Sequence, residues 1–303
     1  MRKPLATYRL QLHSGFGFDA AAGIADYLQL LGISHVYSSP YLQAMPGSKH
    51  GYDVADHHRV NLELGGAEAH ERFSKRLGAC GLGQVLDIVP NHMAIGGRWN
   101  VWWWDVLENG LASPYASYFD IDWQSPEERL RNRILLPILG DHYGRVLKRR
   151  EITIAREGAE FTAHYYDHVL PIAPESIAPV LASASQKIAD DTAGAEALGF
   201  LADSLIRLPV FEHSDRATLV SRNRDKDVIR RWLARIFTER APVVQAVDAE
   251  LSTVNDNIDL LDSLLDRQNY RLAYWKAASR DLGYRRFFDV NTLVGLRMED
   301  EQV

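Results

Sequence analysis

The sequence contains a single cysteine, Cys80, which excludes an internal disulfide and a zinc site built from cysteines. It contains no apolar run of the about 18 residues that a membrane-spanning helix needs, and Met1 to Pro4 lead into a strand-like segment, not a signal core. The formal net charge is -6, so the chain lacks the basic excess of nucleic-acid-binding proteins. These absences predict a cytoplasmic protein without nucleic-acid or membrane partners, and no cofactor is indicated.

Aromatic residues, in contrast, are abundant. The 303 residues include seven tryptophans and thirteen tyrosines. Sugars present C–H-rich faces that pack on aromatic rings, while their hydroxyl groups need polar partners. The composition is therefore compatible with a carbohydrate-binding cleft, although aromatic residues in a protein core are the commoner explanation. The length fits one large domain or a domain with a substantial insertion.

The most informative stretch is Gly83 to His92, which reads G-Q-V-L-D-I-V-P-N-H. Its apolar, partly β-branched run predicts a parallel strand buried on both faces. Asp87 interrupts this run, and a buried carboxylate costs several kcal/mol unless it is paired. Pro90 ends the strand and leaves Asn91 and His92 at its carboxyl end, where barrel enzymes build their active sites. The alternative is an ordinary core strand with a hydrogen-bonded aspartate and a surface histidine.

The residues before this stretch predict alternating strands and helices. Ala6 to Leu12 alternates apolar and polar residues, with Arg9 and Gln11 on the face opposite Tyr8 and Leu10. The further predicted elements are a helix after Asp19 with an apolar stripe of Ile24, Tyr27, Leu28 and Leu31, a strand at 33–37 and a helix at 67–77. This order predicts an α/β fold, specifically the amino-terminal part of a (β/α)8 TIM barrel, with residues 1–92 as its first three β/α units.

The connection from Ser38 to Gly66 is much longer than an ordinary βα loop. It contains Tyr52, Asp53 and several histidines, and loops of this length in a compact domain are usually functional. The adjacent His57 and His58 would point in opposite directions in an extended chain, so no metal site is predicted.

Residues 93–283 are predicted to form a large mixed α+β insertion after the third strand. Its expected features are aromatic-rich loops, a β-hairpin between 146–154 and 160–166, and an irregular passage around Pro171, Pro174 and Pro179. A seam of Val244, Val247, Leu251, Val254, Ile258, Leu261 and Leu265 has heptad spacing. The seam predicts an antiparallel hairpin with the preceding helix, and dimerisation through it is the alternative. A monomer is favoured.

Residues 284–303 are interpreted as the return to the barrel, with a short strand at 287–290, truncated before the fourth strand. Only three barrel strands are then present, and a three-stranded piece with open edges is a poor independent fold. The expectation is therefore that the chain is the amino-terminal part of a longer protein.

Several motifs resemble one family of proteins. D-I-V-P-N-H at the third strand, with H-G-Y-D in the preceding loop, resembles the first sequence region of the α-amylase enzymes, glycoside hydrolase family 13. The further motifs are T-Y-R-L-Q from Thr7, S-S-P-Y-L-Q-A-M-P-G-S-K-H-G-Y-D-V from Ser38, W-W-W-D-V-L-E-N-G from Trp102, Y-F-D-I-D-W from Tyr118 and Y-R-R-F-F-D-V-N from Tyr284. Together they resemble the malto-oligosyltrehalose synthases, which convert the reducing-end α-1,4 linkage of a maltodextrin to α,α-1,1.

The resemblance implies roles for residues at matching positions. Tyr52 matches a tyrosine that stacks on the sugar at the cleaved bond, and His92 matches a histidine that hydrogen-bonds that sugar. Asp87 matches an aspartate that braces the site through an arginine one strand further on, so its pKa would be raised if that partner is absent. Asn91 matches an asparagine that helps to hold calcium in many α-amylases, but no metal requirement follows. The expected substrate-binding residues are Tyr52, His92, Asp87, Asn91, Asp53 and Gln11.

The family's catalytic carboxylates lie on later strands, so none is expected in this chain. Three interpretations remain: part of a trehalose-forming isomerase, part of an α-amylase-type hydrolase or transglycosylase, and a non-catalytic carbohydrate-binding fragment. The large aromatic insertion after the third strand is the candidate for the wall that keeps water out of the glucose subsite, with Trp103 or Trp104 as the residues to test.

Overall fold

The computed structural model describes residues 3–209, 211, 215–277, 282–301 and 303. The strands are β1 (Thr7–Leu10), β2 (His35–Ser38), β3 (Leu42–Ala44), β4 (Val54–Val60), β5 (Gly83–Leu86), β6 (His92–Ala94), β7 (Ile134–Leu139), β8 (Ile152–Glu157), β9 (Glu160–Tyr165), β10 (His168–Pro171), β11 (Tyr270–Tyr274) and β12 (Leu293–Gly295). The helices are α1 (Phe18–Gly23), α2 (Ala25–Leu30), α3 (Gly66–Ala79), α4 (Val101–Asn109), α5 (Tyr143–Lys148), α6 (Pro174–Lys187), α7 (Thr192–Ile206), α8 (Arg216–Glu239), α9 (Ala241–Asp256) and α10 (Ile258–Leu265).

The chain divides into two compact units. Unit 1 comprises Met1–Val101 and Arg286–Val303, and unit 2 comprises Trp102–Arg285. The boundaries expected from the sequence, after His92 and before Tyr284, lie nine and two residues before these. Whether unit 2 is an insertion into a barrel stays a prediction. No helix among the described residues is long and apolar enough to cross a membrane.

Unit 1 is built on a parallel three-stranded sheet in the order β1-β2-β5. The register aligns Arg9 with Tyr37 and Tyr37 with Val85, so all three strands end at one edge. Helices α1, α2 and α3 supply most of the apolar core that packs with these strands. The core residues are Leu10, Leu12, Phe18, Ala21, Ala25, Leu28, Val36, Leu64, Ala69, Phe73, Leu77, Cys80 and Leu82.

The first predicted helix is two short helices with Ile24 between them. The buried residues of the two helices are Phe18, Ala21, Ala25 and Leu28, whereas Tyr27 is 58% exposed and Leu31 is 52% exposed. The prediction that both lie on the buried face is wrong. Small residues, Ala21 and Ala25, face the core instead and allow the helices to approach the sheet closely.

The third strand is shorter and less buried than the sequence predicts. Strand β5 ends at Leu86, so Asp87 lies just beyond the strand, and Ile88 is 63% exposed. The prediction of a strand buried on both faces is therefore wrong. The long connection after β2 is also not irregular throughout, because β3 and β4 pair within it as an antiparallel hairpin. His92 begins β6, which pairs antiparallel with β12.

In unit 2 the predicted hairpin exists, but its first strand begins at Ile152, because the preceding residues form α5. Strand β10 adds to it and gives an antiparallel sheet in the order β10-β9-β8. The prediction that the passage with three prolines is irregular is wrong, because Pro174 begins α6 and the helix continues through Pro179. A proline is well tolerated in the first turn, because its missing N–H has no helical partner there.

The heptad seam does not form one long helix. Asn257 interrupts it, and its side chain accepts hydrogen bonds from the amides of Asp259 and Leu260 to begin α10. Helix α9 packs mainly on α6 and on strand β8, and less on the preceding helix α8. The sequence predicts α8 as the main packing partner of this helix, and that prediction is wrong. The prediction of a strand at 287–290 is also wrong, because the strand in this region is β12, which begins at Leu293.

Candidate functional site

Four side chains of unit 1 meet at the carboxyl edge of the parallel sheet. Arg9 comes from β1 and Tyr37 from β2, while Asp87 follows β5 directly. The Asp87 amide donates to the carbonyl of Ser38 at 3.0 Å, which continues the ladder one residue beyond β5. Tyr52 reaches the same place from the loop between β3 and β4. We call these four residues, Arg9, Tyr37, Tyr52 and Asp87, the Asp87 cluster.

One oxygen of Asp87 accepts three hydrogen bonds in this cluster. Tyr52 donates its hydroxyl at 2.5 Å, Arg9 donates Nη1 at 3.0 Å and Tyr37 donates its hydroxyl at 3.3 Å. A second guanidinium nitrogen, Nη2 of Arg9, donates to the Tyr52 hydroxyl at 2.8 Å. The guanidinium also lies over the Tyr37 ring, 4.6 Å from its centroid. The hydroxyl of Tyr52 is thus fixed by the charge pair between Arg9 on β1 and Asp87, which directly follows β5.

The electrostatics of Asp87 follow from these contacts. Burial acts to raise the pKa of Asp87, but the hydrogen bonds from Tyr52, Arg9 and Tyr37 outweigh it and hold the pKa below its usual value. The expectation of a raised pKa is therefore wrong, because β1 supplies a partner arginine. The hydrogen bond from the Tyr52 hydroxyl to Asp87 raises the pKa of that hydroxyl, so Tyr52 stays a neutral donor.

The loop that carries Tyr52 is held by backbone and side-chain contacts. Gly51 has φ +77°, and a Cβ there would lie 2.3 Å from the carbonyl oxygen of Pro40, so only glycine fits. Asp53 accepts a hydrogen bond from the Ser48 hydroxyl. Gln11 donates Nε2 to the carbonyls at positions 49 and 50, at 3.3 and 3.2 Å. Both predicted binding residues thus position the loop in this structure.

His92 lies behind this loop and is 3% exposed. Its Nε2 is 3.1 Å from the carbonyl oxygen of Tyr52, and its Nδ1 is 2.8 Å from the side-chain oxygen of Asn91. The ring stacks on Phe287 with a centroid distance of 4.3 Å. Burial lowers the pKa of His92, although the hydrogen bond to Tyr52 opposes it. The structure thus places all six predicted residues at the Tyr52 loop or beside it. Gln11 reaches this loop from the segment after β1, and the other five lie in the loop or at the strand ends next to it: Tyr52, Asp53, Asp87, Asn91 and His92.

Trp103 does not line a site. It is 1% exposed and packs edge-to-face on Phe119 and Tyr284 in the core of unit 2. The prediction that Trp103 walls a subsite is therefore wrong. Trp104 is half-buried, and its role stays a prediction.

A buried ion cluster in unit 2 was not predicted. Glu108 of α4, 6% exposed, accepts from Nζ of Lys226 at 2.9 Å and pairs with Arg230, both on α8. Burial acts to raise the pKa of Glu108, but the two cations outweigh it and lower the pKa. For Asp105, one turn earlier, burial wins and raises the pKa. The motif D-V-L-E-N contains the acidic half, but nothing in the sequence identifies basic partners more than a hundred residues away.

The described residues contain no group of three or more histidine, cysteine, aspartate or glutamate side chains that could hold a metal ion. Among the same residues, no carboxylate is a hydrogen-bonding partner of Asp87. The site therefore offers an aromatic ring, fixed hydroxyl and guanidinium donors, and one ion-paired carboxylate. Such a set suits a neutral, hydroxyl-rich ligand.

Known proteins match this chain over different lengths. The model of the α-amylase catalytic domain matches residues 21–145. A putative maltooligosyl trehalose synthase of Mycobacterium tuberculosis (strain CDC 1551 / Oshkosh) is 32% identical over 99% of this chain and 28% of its own length. The solved maltooligosyltrehalose synthase from Arthrobacter ramosus is 32% identical with a TM-score of 0.64, over 99% of this chain and 28% of that chain.

A hypothetical maltooligosyl trehalose synthase from Sulfolobus tokodaii, 28% identical with a TM-score of 0.62, covers 99% of this chain and 29% of its own. The chain thus spans less than a third of the length of these relatives. The matches confirm an α/β fragment of the TIM-barrel type found in α-amylases. They also confirm the resemblance seen in the motifs: the chain is similar over 99% of its length to proteins named maltooligosyl trehalose synthase.

Proposed function

We propose that this chain forms part of the sugar-binding site of an enzyme that acts on maltodextrins. The reaction is the intramolecular transfer that converts the reducing-end α-1,4 linkage to α,α-1,1. Similarity over 99% of the chain to a putative maltooligosyl trehalose synthase is the observation that carries this proposal. The Asp87 cluster supports it, because fixed donors beside an aromatic ring suit a sugar.

Tyr52 provides the ring on which a glucosyl unit stacks. Its hydroxyl is held by Arg9 and Asp87, so the ring keeps one orientation before the sugar arrives, which lowers the entropic cost of binding. His92 supports the backbone of Tyr52 through its Nε2 atom. For His92 to hydrogen-bond a sugar hydroxyl, its Nδ1 must exchange Asn91 for the ligand, and Nδ1 then accepts from that hydroxyl because the ring proton is on Nε2. Gln11 and Asp53 act by keeping the loop in place.

The chain itself does not catalyse the reaction in this proposal. Retaining glycoside chemistry needs two carboxylates about 5 to 5.5 Å apart, one as nucleophile and one as acid and base. Asp87 fits neither role, because it is an ionised carboxylate paired with Arg9, one of its oxygens accepts from three donors, and no second carboxylate among the described residues is hydrogen-bonded to it. The covalent glycosyl intermediate therefore forms on a carboxylate outside this chain.

The fold also supports a role for this chain in sugar binding, with the catalytic carboxylates elsewhere. The three parallel strands β1, β2 and β5 act as the first units of the barrel, and unit 2 as an insertion after the third of them.

The test compares this chain with a longer one that also carries the further barrel strands. Maltopentaose is supplied to both, and reducing ends and free glucose are measured. We expect the longer chain to remove reducing ends without releasing glucose, and this chain to do neither. Turnover by this chain alone would overturn the assignment of catalysis to residues outside it.

Binding is tested separately by calorimetry with maltopentaose. Tyr52→Ala should abolish measurable binding to this chain. Tyr27→Ala, at another exposed tyrosine of unit 1, is the matched control and should leave binding unchanged. Equal affinities for both variants would remove Tyr52 from the site.

An α-amylase-type hydrolase is the second candidate, because a cyclomaltodextrinase of Geobacillus thermopakistaniensis is 38% identical over 36% of this chain. Product analysis separates the two. A hydrolase releases glucose or short maltodextrins, whereas the isomerase gives a non-reducing product of unchanged mass.

A further inference from the structure

The segment 286–291 lies beside the proposed sugar site. Phe287 stacks on His92, with ring planes 29° apart and centroids 4.3 Å apart. Phe288 meets Phe287 edge-on, with centroids 4.6 Å apart. Strand β12 follows directly and pairs with β6, which anchors the segment. The three rings therefore contact one another in sequence, from the buried His92 through Phe287 to the exposed Phe288.

Phe288 is an unusual residue in two respects. Its φ is +53°, in the left-handed region that bulky residues avoid because Cβ crowds the following carbonyl. Its side chain is also 82% exposed, so burial of the ring does not compensate for that strain. Local strain without a packing reason is concentrated at functional positions.

Arg286 holds the turn in this conformation. Its Nη1 donates to the carbonyl of Asp289 at 3.4 Å and to the side-chain oxygen of Asn291, and its Nη2 donates to the Asp289 carboxylate at 3.1 Å. The Arg286 side chain is only 14% exposed, whereas that of Asp289 is 99% exposed. A largely buried cation thus fixes a turn that directs an aromatic ring and a carboxylate to solvent.

We propose that Phe288 is a stacking platform for a glucosyl unit of an α-1,4-glucan, at a subsite next to the one formed by Tyr52 and His92. This inference rests on the proposed function and deepens it. The ring supplies an apolar face for the C–H side of the sugar, and the neighbouring Asp289 carboxylate accepts from its hydroxyl groups. A covering polypeptide segment fits less well, because it would have to desolvate that carboxylate.

The test measures maltopentaose affinity of the full 303-residue chain by calorimetry. Phe288→Ala should weaken binding by about five- to tenfold, since it removes one aromatic contact. Phe288→Tyr keeps the ring and should change the affinity by less than about twofold. Phe200→Ala is the matched control, because Phe200 is 67% exposed on α7 in unit 2, and it should have no effect.

Phe288→Gly separates a functional ring from a structural one. Glycine relieves the strain at positive φ, so the Tm should rise while the affinity falls. A fall in both Tm and affinity would assign the ring a structural role and overturn the proposal.

The binding results also separate this inference from the proposed function. If Phe288→Ala binds like the parent chain while Tyr52→Ala does not bind, the platform is refuted and the proposed function stands. If the parent chain does not bind maltopentaose, both fail. If Phe288→Ala leaves sugar affinity intact but weakens association with a polypeptide that carries the further barrel strands, the ring is a protein contact and the proposal is overturned.

Discussion

Replacing Asp87 by asparagine tests the reasoning about the Asp87 cluster most directly. The substitution keeps the shape of the side chain and removes its charge. One carboxylate oxygen accepts from Arg9, Tyr37 and Tyr52, so three contacts lose their charged acceptor together. The guanidinium of Arg9 also loses its ion pair.

The magnitude follows from the number of bonds and their exposure. A hydrogen bond to a charged group contributes about 1.5–3 kcal/mol when it is buried. The Asp87 and Arg9 side chains are 18% and 36% exposed, so solvent screens the pair, and the asparagine oxygen keeps part of the bonding. We therefore expect the free energy of unfolding of unit 1 to fall by about 1–2 kcal/mol at neutral pH.

The pH dependence gives the prediction its sign. The pKa of Asp87 in the folded protein lies below its usual value of 3.8, so ionised Asp87 stabilises the fold above that value. This contribution is lost as the pH falls from 3.8 through the folded pKa. The difference between the parent chain and Asp87→Asn should therefore be constant near neutral pH and shrink in acid.

Urea unfolding, followed in unit 1 by hydrogen exchange and mass spectrometry, measures this difference. Asp19→Asn is the matched control, because Asp19 also pairs with an arginine, Arg72, at 2.7 Å, but at the surface. The control should have a much smaller effect. A loss at Asp87 that is equal at about pH 7 and about pH 3, or no loss at either, would refute the reasoning.

Three further substitutions address other parts of the chain. Gly51→Ala places a Cβ against a backbone carbonyl and should cost about 1–3 kcal/mol, with weaker maltopentaose binding measured by calorimetry. Trp103→Ala should cost about 3–5 kcal/mol in urea unfolding of unit 2, whereas Trp275→Ala, at a 51% exposed ring, should cost less than about 1 kcal/mol. Lys226→Met leaves a buried glutamate of α4 with only one of its two cations and should cost about 3–5 kcal/mol, while Lys75→Met removes only a surface pair and should be nearly neutral in the same assay.

The sequence predicts much of the parallel sheet because its signals are local. Short apolar runs, their spacing and the proline after β5 identify three strands and the edge where polar residues gather. The cost of a buried carboxylate also predicts that Asp87 has partners. Alternation in the first strand places Arg9 on the face opposite Leu10, so the cation that pairs with Asp87 was visible as a residue on that face.

The failures occur where a pattern allows more than one structure. Heptad spacing continues across Asn257, yet the side chain of Asn257 caps a new helix, and a capping residue overrides apolar periodicity. Pro174 marks a loop in one reading and a first helical turn in the other. In both cases local backbone hydrogen bonding decides the outcome, and apolar periodicity does not report it.

Pairing between distant segments explains the remaining misses. Arg9 and Asp87 are 78 residues apart, and Glu108 and Lys226 are 118 residues apart, so no spacing rule connects them. The resemblance directed attention to an arginine beyond the chain, whereas the described structure gives Asp87 an arginine on β1. When a sequence predicts a buried or half-buried carboxylate, its partner should therefore be sought among all cations that the predicted sheet brings to the same edge. For parallel strands that edge is fixed by chain direction alone, which makes Arg9 the first partner to examine for Asp87.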